Sequence, residues 1–353
     1  MTETIKITDP VFEKREWSGL NKFFLNFIRD ERDLPFVYLM IRLCLTTVPM
    51  GIILYTPLLR GWVWWLVAGI NFGLLALIFT GPFTLMLHNT SHNKLFKQKY
   101  DWMNHIIPWF IGPFFGQSPE TYYSHHIGMH HPENNMEDDD STTLFYQRDS
   151  IKGFAHYYLS FILLGPRELY IYFKTRNRKR FLKKFMRGEI TFALFCIAMS
   201  FISFKATLMV FIIPFFFIRF AMMAGNWGQH AFIGREDPSN RYLNSITCVN
   251  SLYNRTCFND GYHIGHHLKP TMHWTDLPLE FQKNIDKYRE NKAIIFEKVD
   301  FFIVWFFLMT KQYGALANHF VDIRGEYNSK EEIVAFLKTR TAPFTEADLA
   351  KSA

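Results

Sequence analysis

Apolar residues along this chain come in long blocks separated by strongly polar stretches, and only some blocks are long enough to cross a bilayer. A helix needs roughly 20 residues to span ~30 Å of hydrocarbon. Residues 36–59 and 62–87 meet that length, and only Thr56-Pro57 and Arg60-Gly61 offer a turn between them, so they predict a tight helical hairpin. A further apolar block runs from Ile190 to Ala224. As one helix it would be about 52 Å long, too long for a single crossing. Ser203 to Lys205 is its natural break, which predicts two more spans at 188–204 and 206–225. Arg219, near the end of the last span, is expected to snorkel toward the aqueous face.

Three shorter runs cannot span: Ile106 to Phe115, Tyr157 to Phe173 and Phe301 to Met309. They are rich in aromatics and read as interfacial helices, with core packing as the alternative. The predicted fold is therefore an all-α integral membrane protein, with four transmembrane helices in two hairpins and a helical cap. Its parts are a leading segment (1–35), a membrane domain (36–300), and an interfacial helix with a soluble tail (301–353) that ends loosely. The two hairpin tips carry one basic residue each, Arg60 and Lys205. The segment between the hairpins carries Lys174, Arg176, Arg178, Lys179, Arg180, Lys183, Lys184 and Arg187. That asymmetry predicts a cytoplasmic cap and cytoplasmic termini, in the endoplasmic reticulum or a bacterial inner membrane. The sequons at Asn89 and Asn254 fall on the same side and are expected to stay unglycosylated.

Composition sharpens this reading. Phenylalanine alone contributes 38 residues, and the net charge is +7. The excess positive charge lies beside apolar spans and comes with no nucleic-acid-binding motif, so an anionic membrane surface is its partner rather than nucleic acid. Cys44 and Cys196 sit in apolar runs, and Cys248 and Cys257 lack CxxC spacing, which excludes a disulfide framework or a zinc ribbon. The charged opening residues predict no cleavable signal peptide.

The histidines carry the chemistry. Nine of the fourteen fall in four clusters: His88 and His92; His126, His130 and His131; His230; and His263, His266 and His267. Residues three or four apart share a helix face, so His88 with His92, His126 with His130, and His263 with His266 or His267 are expected to point together. An adjacent histidine lets one turn reach two metals. Nine imidazoles can thus converge beneath the ends of the spans, although spacing alone does not choose among iron, zinc, copper and nickel. His105, His125, His156, His273 and His319 fit no cluster, and His125 is a substitute for its neighbour at five-residue spacing.

These clusters resemble the boxes of the membrane fatty acid desaturase superfamily: HxxxH (His88, His92), HxxxHH (His126, His130, His131) and HxxHH (His263, His266, His267). Asn226-x-x-x-His230 is similar to the extra ligand element of the stearoyl-CoA desaturase branch, which implies that Asn226 holds a metal through water. The HxxxHH spacing also resembles integral-membrane alkane monooxygenases. Those have Glu after the first histidine of their first box, where this chain has Asn89, and they have more spans. Front-end desaturases usually carry Gln where this chain has His263.

The resemblance implies a di-iron oxidase that uses O2 on an unactivated C–H bond of a lipid or acyl-CoA. Removing two hydrogens makes a desaturase; inserting oxygen makes a hydroxylase, ketolase or monooxygenase. A non-oxidative, histidine-rich metal-binding membrane protein is the rival of another class. Ligating imidazoles need acceptors for their second N–H, and Asp260 and the Asp138–Asp140 run, Asp138 first, are the candidates. Trp227 and Tyr262 flank ligands and are candidate substrate contacts. No haem box, iron–sulfur spacing or GxGxxG fingerprint is present, so a separate donor, cytochrome b5 or ferredoxin with its reductase, is expected.

Overall fold

Long apolar runs with few breakers make long helices, and the chain is mostly helical, at 65%. The computed structural model describes residues 5–352. Three helical stretches are long and apolar enough to cross a membrane: Glu31–Ile53, Gly61–His92 and Lys179–Gln229. Most of their side chains face outward, and Leu77 and Phe201 are each 88% exposed. Such surfaces need a non-aqueous surrounding.

The ends of these stretches differ from the predicted spans for local reasons. The first stops at Ile53, and residues 54–58 form turns and a bend. It is also interrupted at Thr46 (φ −121°, ψ −83°), three residues before Pro49, whose ring denies the helix a backbone donor. The second continues past residue 87 to His92 and so carries the first histidine box on its last turn; a π-helical turn interrupts it at Leu75–Phe79. The third runs 51 residues, but Ser203 leaves helical geometry (φ −159°, ψ 101°) inside the segment read as a turn.

The chain divides into two compact units. The first comprises residues 13–128 and 170–221 and holds most of the long apolar helices. Within it the two predicted hairpin tips meet. Tyr55 donates its hydroxyl to Thr207 at 2.8 Å, and the Lys205 ammonium lies 3.6 Å from the Trp64 ring centroid. Arg219 does not snorkel. It is 9% exposed, donates to the Gly116 carbonyl at 2.7 Å and to the Ser118 hydroxyl at 3.3 Å, and lies over the Phe215 ring. Gly116 is in the left-handed region (φ 63°), and a Cβ there would come within 2.1 Å of the Phe215 nitrogen, so only glycine fits.

The second unit comprises residues 1–12, 129–169 and 222–353. It contains two short strands the sequence did not predict, β1 (Ile246–Val249) and β2 (Ile294–Glu297), paired in parallel with Ile246 opposite Ile294. Both are almost wholly buried, and a strand buried on both faces is a continuous apolar run without alternation. Around them pack Phe232, Val304, Leu308, Leu316 and Leu337.

The tail is not loose. Phe344 and Leu349 are buried against Leu144 and Ile233, and the Phe344 N–H donates to the Leu144 carbonyl at 3.0 Å. Its anchor is Arg148, which is wholly buried. That guanidinium donates to the carbonyls of Thr143, Leu144, Tyr146, Ala231, Arg340 and Ala342 at 2.6–3.2 Å. Burial pulls its pKa down to about 9, yet at neutral pH it keeps its charge and all its donors occupied. Arg148 therefore ties the 143–148 loop, the residue after His230 and the tail into one piece.

Candidate metal centre

In the first unit, the last turn of the helix Thr80–His92 points His88 and His92 the same way, as four-residue spacing on an α-helix requires. His126 meets them. Its ring centroid is 4.5 Å from that of His88, and its Nε2 is 3.0 Å from that of His92. Tyr122 stacks on His126 at 5.2 Å.

The second box behaves differently from its spacing. His126–His130 form a π-helical turn, and from it His126 faces His88 and His92 while His130 faces another group. Gly128 lies at the centre of that turn, where a Cβ would sit 2.9 Å from the Phe181 ring.

That other group lies entirely within the second unit. His130, His230, His263 and His267 are all buried, and their ligand atoms fall within 4.8 Å of one another. The Nε2 atoms of His263 and His230 are 3.3 Å apart, and those of His267 and His263 are 3.0 Å apart. Nitrogens about 2.1 Å from a common metal would lie about 3 to 3.4 Å from each other. In the same unit the Nε2 atoms of His131 and His266 also approach to 3.0 Å. Thus His130 and His131, adjacent in sequence, serve separate groups, as do His266 and His267.

The second nitrogens fix which atom faces inward. His130 donates from Nδ1 to Asp139 at 2.7 Å, and His230 donates from Nδ1 to the carbonyl and side-chain oxygen of Asn244 at 3.0 and 2.9 Å. Each Nε2 is then the lone-pair nitrogen. Burial holds His230 down at about 4 and His267 well below the usual imidazole range, with neighbouring histidines adding to it. His230 and His267 are held neutral, His130 and His230 are oriented from behind, and all four rings are buried, a donor set that fits a transition-metal cation.

The carboxylate that meets His130 is Asp139, not the Asp138 singled out from the sequence; Asp138 is exposed. Left-handed Asn134 and Asn135 (φ 51° and 59°) turn the chain so that Asp139 faces back toward the box. Asp139 also accepts from the N–H groups of Asn135 and Ser141 and from the Ser141 hydroxyl, at 2.7–3.1 Å. Asn244 went unrecognised, because no box spacing marks it. Asp260 accepts from the Tyr253 hydroxyl at 2.8 Å and from Gln229, the neighbour of His230, at 3.3 Å. The amide nitrogen of Asn226 donates to the Ser141 carbonyl and to Tyr157, at 2.9 and 2.8 Å. Trp227 and Tyr262 are fully buried packing residues. Trp227 bonds the Arg148 carbonyl at 2.9 Å among Tyr146, Phe154 and Tyr157, and Tyr262 bonds Asp9 at 2.6 Å.

The sequence model of one family, fatty acid desaturase, matches residues 62–298, more than half of the chain and every histidine box. The chain belongs to the fatty acid desaturase family. No curated protein and no solved structure matches it. Membership makes this desaturase-family chain an oxidoreductase that acts on lipid in association with a membrane. Its buried histidine groups are compatible with the metal such chemistry requires.

One carboxyl beside this centre gives the desaturase-family fold a pH dependence. Asp140 is pushed up to about 8 by burial, with Asp139 and Glu168 adding to it. Its folded pKa lies above the unfolded value near 4, so the folded state binds the extra proton between about pH 4 and pH 8. Stability from this group is full below that window and falls as pH rises through it. The unfolding midpoint in detergent is expected to drop between about pH 4 and pH 8 and to level off above that. In Asp140→Asn that drop should be smaller; an identical slope in the variant would assign the pH dependence to other groups.

Proposed function

We propose that this protein is an O2-dependent di-iron desaturase that introduces a double bond into an unactivated acyl chain of a lipid or acyl-CoA. The observation that carries the reading is the buried set His130, His230, His263 and His267, four imidazoles with two of their outer N–H groups held by Asp139 and Asn244. They hold one iron. The other box histidines, His88, His92, His126, His131 and His266, are further iron ligands in this reading, with Asn226 contributing through a water. Bound iron supplies the oxidising power to break a methylene C–H bond, which no side chain can do unaided.

The residues themselves supply orientation and dryness. Asp139 and Asn244 hold the ring tautomers, Tyr157 and Ser141 hold Asn226, and Arg148 with the tail closes the loop behind them. In this reading the break at Ser203 makes the 51-residue stretch two crossings, giving four spans in two hairpins. The basic run from Lys174 to Arg187 supports a cytoplasmic centre, with cytochrome b5 or a ferredoxin as its electron donor.

The test is mass spectrometry of total lipids from cells expressing the chain beside cells expressing His266→Ala. A new double bond present only with the unaltered chain is the expected result. A new hydroxyl or keto group instead would replace desaturation by oxygen insertion on the same centre.

A further inference from the structure

The first described residues are packed where the third histidine box begins. Asp9 is 5% exposed, and its Oδ2 accepts from the Tyr262 hydroxyl at 2.6 Å and from the Asn250 N–H at 2.7 Å. Tyr262 immediately precedes His263, and Asn250 immediately follows β1, so one carboxylate grips both ends of the segment leading into the box. Further bonds run alongside. The Thr8 N–H donates to the Asn250 side-chain oxygen at 2.7 Å, the Asn250 amide to the Lys6 carbonyl at 2.9 Å, and the Asn259 amide to the Pro10 carbonyl at 2.7 Å. Ile5 and Ile7 pack against the cluster that contains Tyr262 and Ile264.

The gripped segment has reason to need gripping. Asn250, Phe258 and Asn259 all lie in the left-handed region, with φ of 54°, 55° and 54°. Non-glycine residues stay there only when the surroundings over-determine them. Two of the three are bound by their side-chain amides to this N-terminal segment, and the ring that follows them is bound by Asp9.

We propose that residues 5–10 form a latch that sets the third histidine box, with Asp9 as its positioning residue. The inference rests on reading the box histidines as metal ligands. His263 and His267 lie one turn apart on the short helix His263–Leu268, so the rotation of that helix decides whether both nitrogens reach the group. Tyr262 fixes that rotation, and Asp9 fixes Tyr262. Positioning partners of metal ligands commonly matter by 10- to 100-fold in metal retention.

The experiment uses full-length protein in detergent, loaded with Fe(II), and follows iron release to a chelator together with hydrogen exchange across residues 258–268. Asp9→Ala should release iron about 10-fold faster than the unaltered chain and exchange faster across the box. Asp9→Asn, which keeps an acceptor oxygen, should stay within about 3-fold of it. Tyr262→Phe removes only the hydroxyl and should behave like Asp9→Ala, covering the case in which Asp9→Ala does not fold. Unchanged release and exchange in both Asp9→Ala and Tyr262→Phe would overturn the latch, as would failure of Asp9→Asn to restore release. If the unaltered chain takes up no iron, the metal reading fails, and the exchange comparison alone then decides for or against the latch.

Discussion

His263→Ala is expected to lose one metal ion per chain and to lower lipid oxidation by about 100-fold or more, the upper end of what disturbing a ligand's surroundings alone does. His263 approaches two members of its group closely, with Nε2 at 3.0 Å from that of His267 and 3.3 Å from that of His230. The site is buried, so alanine leaves a cavity with no polar atom in place of the ligand. The three remaining rings cannot close the gap, since His130 and His230 are tied from behind by Asp139 and Asn244. Metal analysis of the purified variant gives the first readout and lipid mass spectrometry the second. His156→Ala is the control, an exposed histidine outside the boxes that should change neither. Full metal content in His263→Ala would remove this residue from the ligand set.

Asp139→Asn should cost about 10- to 100-fold in metal affinity while leaving the protein folded. The carboxylate accepts four hydrogen bonds and donates none, so every neighbour is a donor facing it. An amide of the same shape must turn its NH2 toward one of those donors. If it faces His130, the ring is driven to the tautomer with a proton on Nε2, and the lone pair that faces the metal is gone. A chelator challenge at fixed pH measures the loss. Asp139→Glu keeps the charge and should recover part of it; equal retention by the unaltered chain and Asp139→Asn would show that His130 is oriented by something else.

The sequence made the box histidines, the long apolar helices and the Ser203 break legible, because all rest on spacing along one helix or on a run of apolar residues. The failures share a different cause. His126 and His130 part company because each ring meets tertiary partners of its own, His88 for one and His230 for the other, and nothing in His-Ile-Gly-Met-His announces that. Asp138 was preferred to Asp139 because the left-handed pair Asn134-Asn135 sets which carboxylate of the run turns inward. Asn244, Asp9 and the tail were missed because each acts through tertiary contacts that no local pattern encodes; Asp9 reaches a residue 253 positions away. Arg219 was read as an end-of-helix cation, yet the Gly116 carbonyl and Ser118 give its charge a place inside.

The ring of carbonyls around Arg148 also has a bearing on the order in which the protein is made. Two of its acceptors, on Arg340 and Ala342, are 192 and 194 residues further along the chain. During synthesis the arginine is present long before them, with part of its coordination missing, and a half-satisfied buried cation is costly. The loop that carries Asp139 therefore cannot settle while translation is under way, even though the apolar helices of the other unit have by then emerged. On the proposed reading of His130 as a ligand, metal loading there waits for the tail, and a ribosome stalled short of residue 340 would display a chain whose 143–148 loop is still unsettled.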